Sequence, residues 1–160
     1  MIVAMVVALI ISCTKEKAVP SAADTAGITL AGAKGSSKSW KLTSLKYSQN
    51  GGPIQGGTLL ACQTDDIFKF SNNDNQDFEH TEGLTKCTSS DSTIAENGSW
   101  ALTANAKRID FGLVMYSSEY LLSDLGPGTV VSLTDTDMEL TFTQVATPDT
   151  YVLFLYFSKI

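Results

Sequence analysis

The sequence is poor in the residues on which most catalytic and metal sites depend. Its 160 residues include one histidine, His80, one arginine, Arg108, three cysteines and four prolines. A single histidine cannot supply a His-rich metal site, and a Ser/His/Asp or Cys/His system could use only His80. Acidic residues outnumber basic ones by 17 to 11, for a net charge of −6, so the chain lacks the basic face that binds nucleic acid. We therefore expect no catalytic or metal-ligating residues, no cofactor and no nucleic-acid partner.

Long apolar runs are also missing, except for residues 1–11, which are uncharged. Such a run is too short for a membrane span of about 20 residues but suits the core of a signal peptide. The sequence Ile10-Ile11-Ser12-Cys13 that completes it resembles the lipobox of bacterial lipoproteins. The resemblance implies that residues 1–12 are removed and that Cys13 carries a lipid. It also implies a membrane partner, with the protein held at the outer membrane and facing the periplasm or the cell surface.

Residues 13–37 have the composition of a flexible linker. After Cys13 they are rich in Ala, Gly, Ser, Thr and Lys and almost without bulky side chains, which leaves little apolar surface to bury. The predicted organisation is therefore a signal peptide over 1–12, a lipidated cysteine and linker over 13–37, and one folded domain over 38–160.

From residue 38 onward, short runs of alternating apolar and polar residues are separated by turn residues. Arg108–Met115 shows the pattern clearly, and Asn97-Gly98 has the sequence of a tight hairpin turn. Residues 151–157 are apolar on both faces, as in a central or barrel-sealing strand buried on both sides. Because no helical stripe is present, the pattern predicts an all-β, antiparallel sandwich or barrel of seven or eight strands.

Two cysteines remain once Cys13 is assigned to the lipid. Cys62 and Cys87 form an even pair in a compartment that permits disulfides, so we predict that they are bonded. A free-thiol or metal interpretation needs more ligands than these two cysteines and His80 provide.

The polar residues offer candidates for chemistry but no complete site. Asp65 and Asp66 are adjacent, so alternation along a strand sends them to opposite faces, and we interpret them as part of a solvated turn. Residues 73–77 have the alternation of a calcium loop without its glycine and bidentate glutamate, which favours a hairpin turn. His80 is predicted to be a surface or cross-strand histidine. Arg108 fits either a stacking partner of a tryptophan or a solvated turn residue.

The order of motifs between Ser39 and Thr143 resembles the lipocalin-like domains of small bacterial lipoproteins. The motifs are Trp40-Lys41-Leu42-Thr43, Cys62-Gln63-Thr64-Asp65-Asp66, Phe68-Lys69-Phe70, Gly98-Ser99-Trp100-Ala101-Leu102 and the stretch 133–140. The resemblance implies a closed or half-open barrel of about eight antiparallel strands, with a disulfide early in the domain.

Aromatic residues at alternating positions are the candidates for a ligand pocket. They are Trp40, Phe68, Phe70, Phe78, Trp100, Phe111, Phe142, Phe154 and Tyr156. The leading hypothesis is a monomeric, non-catalytic lipoprotein that binds a small hydrophobic ligand among these rings. The alternative is a structural or protein-interaction lipoprotein whose barrel is filled by the same rings.

Overall fold

The computed structural model describes residues 19–117 and 121–160. The predicted signal peptide and Cys13 lie outside the described residues. Within them the elements are α1 (Ala22–Ala31), β1 (Ser37–Gln49), β2 (Gln55–Gly56), a 3-10 turn (Ala61–Gln63), β3 (Ile67–Ser71), β4 (Asp77–Thr81), β5 (Ile94–Thr103), β6 (Arg108–Met115), β7 (Gly128–Leu133), β8 (Asp137–Ala146) and β9 (Asp149–Lys159).

The strands form a closed antiparallel barrel. Each strand from β3 to β8 pairs with the next one along the chain, and β1 pairs with β3 on one side and with β9 on the other. The seam between β1 and β9 runs from Trp40 opposite Lys159 to Gln49 opposite Tyr151, with one irregularity near Leu42. The two-residue strand β2 pairs with β1 but lies outside the closed ring. The barrel itself therefore has eight strands. The prediction of an antiparallel barrel of seven or eight strands is confirmed.

Alternating apolar residues produce this barrel because each strand sends every second side chain inward. On β8 the inward residues Met138, Leu140 and Phe142 are at most 2% exposed, whereas their neighbours are half-buried or exposed. The predicted turns over residues 71–75 and 134–137 connect β3 to β4 and β7 to β8. These turns and the barrel-sealing place of β9 are confirmed.

One predicted turn is wrong, because Asn97 and Gly98 lie inside β5 rather than between strands. The register pairs Gly98 with Leu113 of β6. A Cβ atom at Gly98 would lie only 2.0 Å from the carbonyl oxygen of Gly112, and its φ is +155°. The glycine is therefore needed for the close approach of two strands.

The predicted flexible linker is wrong for residues 22–31, which form α1. Ser21 caps the helix by accepting a hydrogen bond from the amide of Asp24, and the Asp24 side chain accepts from the amide of Ser21 in return. Leu30 and Ala31 are buried in the same core as the barrel side chains. Because this helix contributes to the core, the folded unit begins before residue 38. In the described part of the chain, no helix has both the length and the apolar character to cross a membrane.

Candidate functional site

The two ends of the barrel differ. At one end α1 lies against the strand termini. The indole N–H of Trp40 donates to the carbonyl of Leu30 at 2.9 Å, and the Asn72 amide donates to the carbonyl of Gly32 at 2.7 Å. We call this the helix end. The opposite end, which we call the open end, gathers the segment before β3 with its 3-10 turn and the segments after β4 and after β6.

The helix end and the middle of the barrel are filled with aromatic side chains. Trp40, Phe68, Phe70, Phe78, Trp100 and Phe142 are each at most 2% exposed. Phe70 contacts Phe78 edge to face, with ring centroids 5.0 Å apart, and both rings contact Phe111. Phe111 is half-buried on the inner face. These seven of the nine predicted residues therefore share one interior, and they pack against one another.

The inward prediction is wrong for Phe154 and Tyr156. Both are half-buried on β9, where the alternate residues Leu155 and Phe157 are 0% and 2% exposed. Alternation thus places Phe154 and Tyr156 on the outer face. There the ammonium group of Lys46 lies 4.8 Å from the centre of the Tyr156 ring. The prediction that β9 is buried on both sides is therefore wrong, because the side chains on its outer face are only half-buried.

A cavity remains at the open end. It is about 40 Å³ in volume and is lined by Leu42, Leu45, Leu59, Phe68 and Leu121 together with Gln63, Asp66 and His80. Pockets for drug-sized ligands are about 300 Å³ or more, so a whole lipid does not fit among the packed rings. A larger groove of about 460 Å³ lies between α1 and the strand ends, beside Gly27 and Trp100.

The polar wall of the open-end cavity belongs to a buried cluster of Asp66, His80 and Glu96. The Nε2 atom of His80 lies 3.1 Å from Asp66 Oδ2, and its Nδ1 atom lies 3.1 Å from Glu96 Oε2. All three residues are at most 3% exposed. The His80 ring also stacks on Phe68, with centroids 4.2 Å apart. Because both ring nitrogens face carboxylates, the geometry fits a doubly protonated imidazolium.

This cluster also holds the segments that surround the open end. Glu96 accepts hydrogen bonds from the backbone amides of Leu121, Leu122 and Ser123 and from the Ser123 hydroxyl. Asp66 accepts from the amide of Gly83 at 3.2 Å. Side chains from β4, from β5 and from the segment before β3 thus form one cluster, and its carboxylates fix the backbone that borders the cavity.

The environment shifts the pKa values of two of these groups. Burial lowers the pKa of His80, but hydrogen bonds and charges from Asp66 and Glu96 outweigh it, so the pKa lies above its ordinary value of 6.5. Burial raises the pKa of Glu96, but hydrogen bonds with His80 and Ser123 outweigh that effect, so the pKa lies below its ordinary value of 4.5.

These shifts predict a pH dependence of stability. Protonated His80 contributes fully below its unfolded pKa, and the contribution is lost as pH rises through the raised folded value. Glu96 contributes above its unfolded pKa, and its contribution is lost as pH falls through the lowered folded value. The cluster should therefore stabilise the fold most between about pH 4.5 and 6.5.

Urea unfolding at several pH values tests this, with His80→Gln as the variant that cannot titrate. We expect the stability difference between wild type and variant to shrink as pH rises from about 5.5 to about 8.5. A difference that stays constant over this range would show that folding does not raise the pKa of His80.

The structure corrects several predictions for polar residues. Asp66 is not part of a solvated turn, and His80 is a cross-strand but not a surface residue. Arg108 does not stack on a tryptophan; it is exposed and forms an ion pair with Asp110 at 2.8 Å.

The hairpin turn at residues 73–77 is confirmed, with the side chain of Asn73 accepting from the amide of Asp77. Glu96 was not predicted as a site residue, and only the pairing of His80 with Glu96 across β4 and β5 identifies it.

The predicted disulfide between Cys62 and Cys87 is confirmed, with the two Cα atoms 5.1 Å apart. It joins the 3-10 turn before β3 to the segment after β4, and so ties two of the segments at the open end to each other. Over residues 19–117 and 121–160, no group of three or more His, Cys, Asp or Glu side chains is arranged to hold a metal ion.

Most of the chain matches a known protein family. The model of a family described as a lipocalin-like domain matches residues 37–140, which begin with β1 and end within β8. The match therefore covers most of the closed barrel and the whole Asp66–His80–Glu96 cluster. Comparison with curated proteins gives no match.

Proposed function

Because the chain belongs to the lipocalin-like domain family, whose barrel is a ligand-binding fold, we propose that it is a non-catalytic binding protein. Its site is the open end of the barrel, and its ligand is a small molecule with an apolar body. The observation that carries this proposal is the cavity whose lining combines Leu42, Leu45, Leu59, Phe68 and Leu121 with Asp66 and His80. Proteins with lipocalin-like domains are typically binders rather than enzymes.

The ligand is placed at the open end because the predicted aromatic pocket is occupied by its own rings. A cavity of about 40 Å³ accepts one end of a ligand, while the remainder lies against the half-buried Leu45 and Leu59 and the exposed Leu60. Apolar contact of this kind contributes about 25 cal/mol per Å² of surface removed from water. The protein acts as a monomer, since the site needs no second chain.

Binding of a neutral apolar dye, N-phenyl-1-naphthylamine, tests the location of the site. We expect Leu59→Gln to weaken dye binding roughly tenfold, because it removes apolar surface from the cavity wall. Leu84→Gln is the matched control, since Leu84 is fully exposed at the same end of the barrel and does not line the cavity. Dye fluorescence measures both.

If the wild-type protein does not bind the dye, the ligand-binding proposal fails. The second candidate, a structural or protein-interaction lipoprotein with a filled core, is then favoured. The close packing of Trp40, Phe70, Phe78 and Trp100 supports that candidate. Equal weakening by Leu59→Gln and Leu84→Gln would place the dye outside the cavity.

We further propose that Cys13 anchors the protein to the outer membrane through a lipid, on the periplasmic or the surface side. The support is the lipobox-like Ile10-Ile11-Ser12-Cys13 after an apolar run. Cys13→Ala is expected to move the protein from the membrane fraction to the soluble fraction, as followed by centrifugation and immunoblotting. A Cys87→Ala variant controls for loss of a cysteine. If the Cys13→Ala protein remains in the membrane fraction, lipid attachment at Cys13 is wrong.

A further inference from the structure

β7 is too short to fill the space between β6 and β8 at the open end. It pairs with β6 at Arg108 and Ile109 and with β8 as far as Thr141. In the part of the chain that the structure describes, no strand pairs on this side with the rest of β6 (110–115) or of β8 (142–146). Where β7 pairs with both neighbours, β6 and β8 lie two strand spacings apart, about 9.5 Å. Toward the open end they therefore border a gap about as wide as one extended chain.

The segment Leu121–Pro127, which we call the strap, lies across this gap. It begins beside β5 and β6, where Glu96, opposite Met115 in the register, accepts hydrogen bonds from the amides of residues 121–123. It then reaches β8, where the side-chain amide of Gln144 donates to a carbonyl of the strap at 2.9 Å. The strap thus occupies the position that a longer β7 would fill.

Side chains, and not strand pairing, hold the strap in place. Among the described residues, its backbone makes no hydrogen bond to the backbone of β6 or β8. Its hydrogen bonds to the strands run to Glu96 and Gln144, and one of them joins the Ser123 hydroxyl to Glu96 at 2.7 Å. The side chain of Leu122, which is 1% exposed, adds apolar packing. Segments outside the strand ladder open at lower cost than the strands themselves.

Apolar surface continues from the cavity into the gap. Leu121 of the strap forms part of the cavity wall. Along the inner face of β6, Ile109 is fully buried, Phe111 and Leu113 are half-buried, and Met115 is 49% exposed. The inner side chains of β6 are covered less toward the open end because β7 does not continue beside them. Displacement of the strap would join the cavity of about 40 Å³ to this surface.

We infer that the strap is a movable wall, which a ligand with one linear apolar chain displaces so that the chain lies between β6 and β8. This inference rests on the proposed function and specifies how its site opens. A gap one strand wide accepts a single extended chain, which there contacts Leu113 and Met115. Displacement also lets a site with a cavity far below the usual 300 Å³ or more hold a whole chain rather than one end of it.

The closed strap and the chain compete for the same space. A ligand that needs the open state binds more weakly in proportion to the fraction of protein that is open. Weakening a hydrogen bond of the strap should therefore tighten ligand binding while it lowers the free energy of unfolding. A side chain with a merely structural role would not show these opposite effects.

A series of neutral alcohols tests whether the site lengthens. Isothermal titration calorimetry with hexanol, octanol and decanol uses the mature chain, kept in solution by Cys13→Ser. We expect the affinity to rise about fourfold for each added methylene, the equivalent of about 0.8 kcal/mol per buried CH₂, as far as decanol. A cavity with fixed walls would give similar affinities for all three, because the added methylenes would remain in water.

Ser123→Ala tests whether the strap limits binding. It removes one hydrogen bond to Glu96, and we expect it to tighten decanol binding roughly fivefold, the equivalent of about 1 kcal/mol for one hydrogen bond. Asn72→Ala is the matched control, because it removes a side-chain hydrogen bond to the carbonyl of Gly32 at the helix end. It should lower the free energy of unfolding without changing the affinity for decanol.

Hydrogen exchange reports the displacement directly. Ligand binding stabilises a fold and slows the exchange of most amides. The amides of residues 121–123 should instead exchange faster when decanol is bound, because they lose Glu96 as their acceptor. Slower exchange of these three amides would show that the strap stays closed over the ligand.

The outcomes separate this inference from the proposed function. If decanol binds no more tightly than hexanol, or if Ser123→Ala does not tighten binding, the strap is a fixed wall and the apolar site stands. If the dye binds but none of the alcohols does, the linear-chain ligand is overturned and the site again stands. If neither the dye nor any alcohol binds, the proposed function fails together with the inference.

Discussion

Replacing Glu96 with alanine is expected to lower the free energy of unfolding by about 3–5 kcal/mol, the usual cost of removing one partner of a buried ion pair. The carboxylate is fully buried, contacts His80 and accepts hydrogen bonds from the backbone of residues 121–123. Its loss leaves the amides of that segment without acceptors and leaves Asp66 as the sole counter-charge of His80. Urea unfolding at about pH 6, where the cluster contributes most, measures the change.

Glu79→Ala provides the matched control for this prediction. Glu79 precedes His80 on β4 but is half-buried on the outer face, opposite Asn97. Its removal should change the free energy of unfolding by less than about 0.5 kcal/mol, as surface substitutions usually do. If Glu96→Ala were no more destabilising than Glu79→Ala, the cluster would contribute nothing to holding the open end.

Replacing Trp40 with alanine is expected to lower the free energy of unfolding by about 3–5 kcal/mol. The indole is fully buried, and it links α1 to the barrel by donating to the carbonyl of Leu30. Trp40→Phe keeps most of the ring but removes the donor, so it should cost about 1–3 kcal/mol through the unpaired carbonyl.

Hydrogen exchange distinguishes loss of the helix contact from general loss of stability. In Trp40→Phe the amides of α1 should exchange faster, while those of β8 and β9 follow the change in global stability. Leu140→Ala is the control, because Leu140 is a fully buried core residue on β8. If both variants affect α1 and β8 alike, the helix unfolds only with the whole barrel.

The strands were predictable because period-two alternation is a local property of the sequence. Arg108–Met115 was predicted with both ends correct, since Ile109, Phe111 and Leu113 alternate with polar or small residues. The tight turn predicted at Asn97-Gly98 failed because a glycine also permits close contact between two strands, and the residues around it do not distinguish the uses.

The helix was missed because its apolar face is weak, although local signals were present. Ser21 and Asp24 have the spacing of a capping box, and Gly32 follows the last turn. The prediction of a flexible linker followed instead from the small and polar residues that dominate positions 13–37. The helix is stabilised mainly by burial of Leu30 and Ala31 against the barrel, which depends on tertiary packing.

The polar cluster could be predicted only in part. Asp65 and Asp66 precede β3 and do not lie on a strand, so alternation does not say what the buried carboxylate of Asp66 contacts. Only the register of β4 with β3 and β5 places His80 opposite Phe68 and Glu96. Non-local pairing is not encoded in the spacing of residues along one strand.

The docking of α1 has a consequence for the direction from which a ligand arrives. Ser21, the helix cap, is the eighth residue after Cys13, and the chain between them spans at most about 28 Å even when fully extended. The 13 residues of β1 cover about 43 Å along the strand, and the cap lies at the helix end. On the proposed lipid anchoring, the helix end is therefore held near the bilayer and the open end faces away from it. A ligand would then enter from the aqueous compartment rather than directly from the bilayer that holds the anchor.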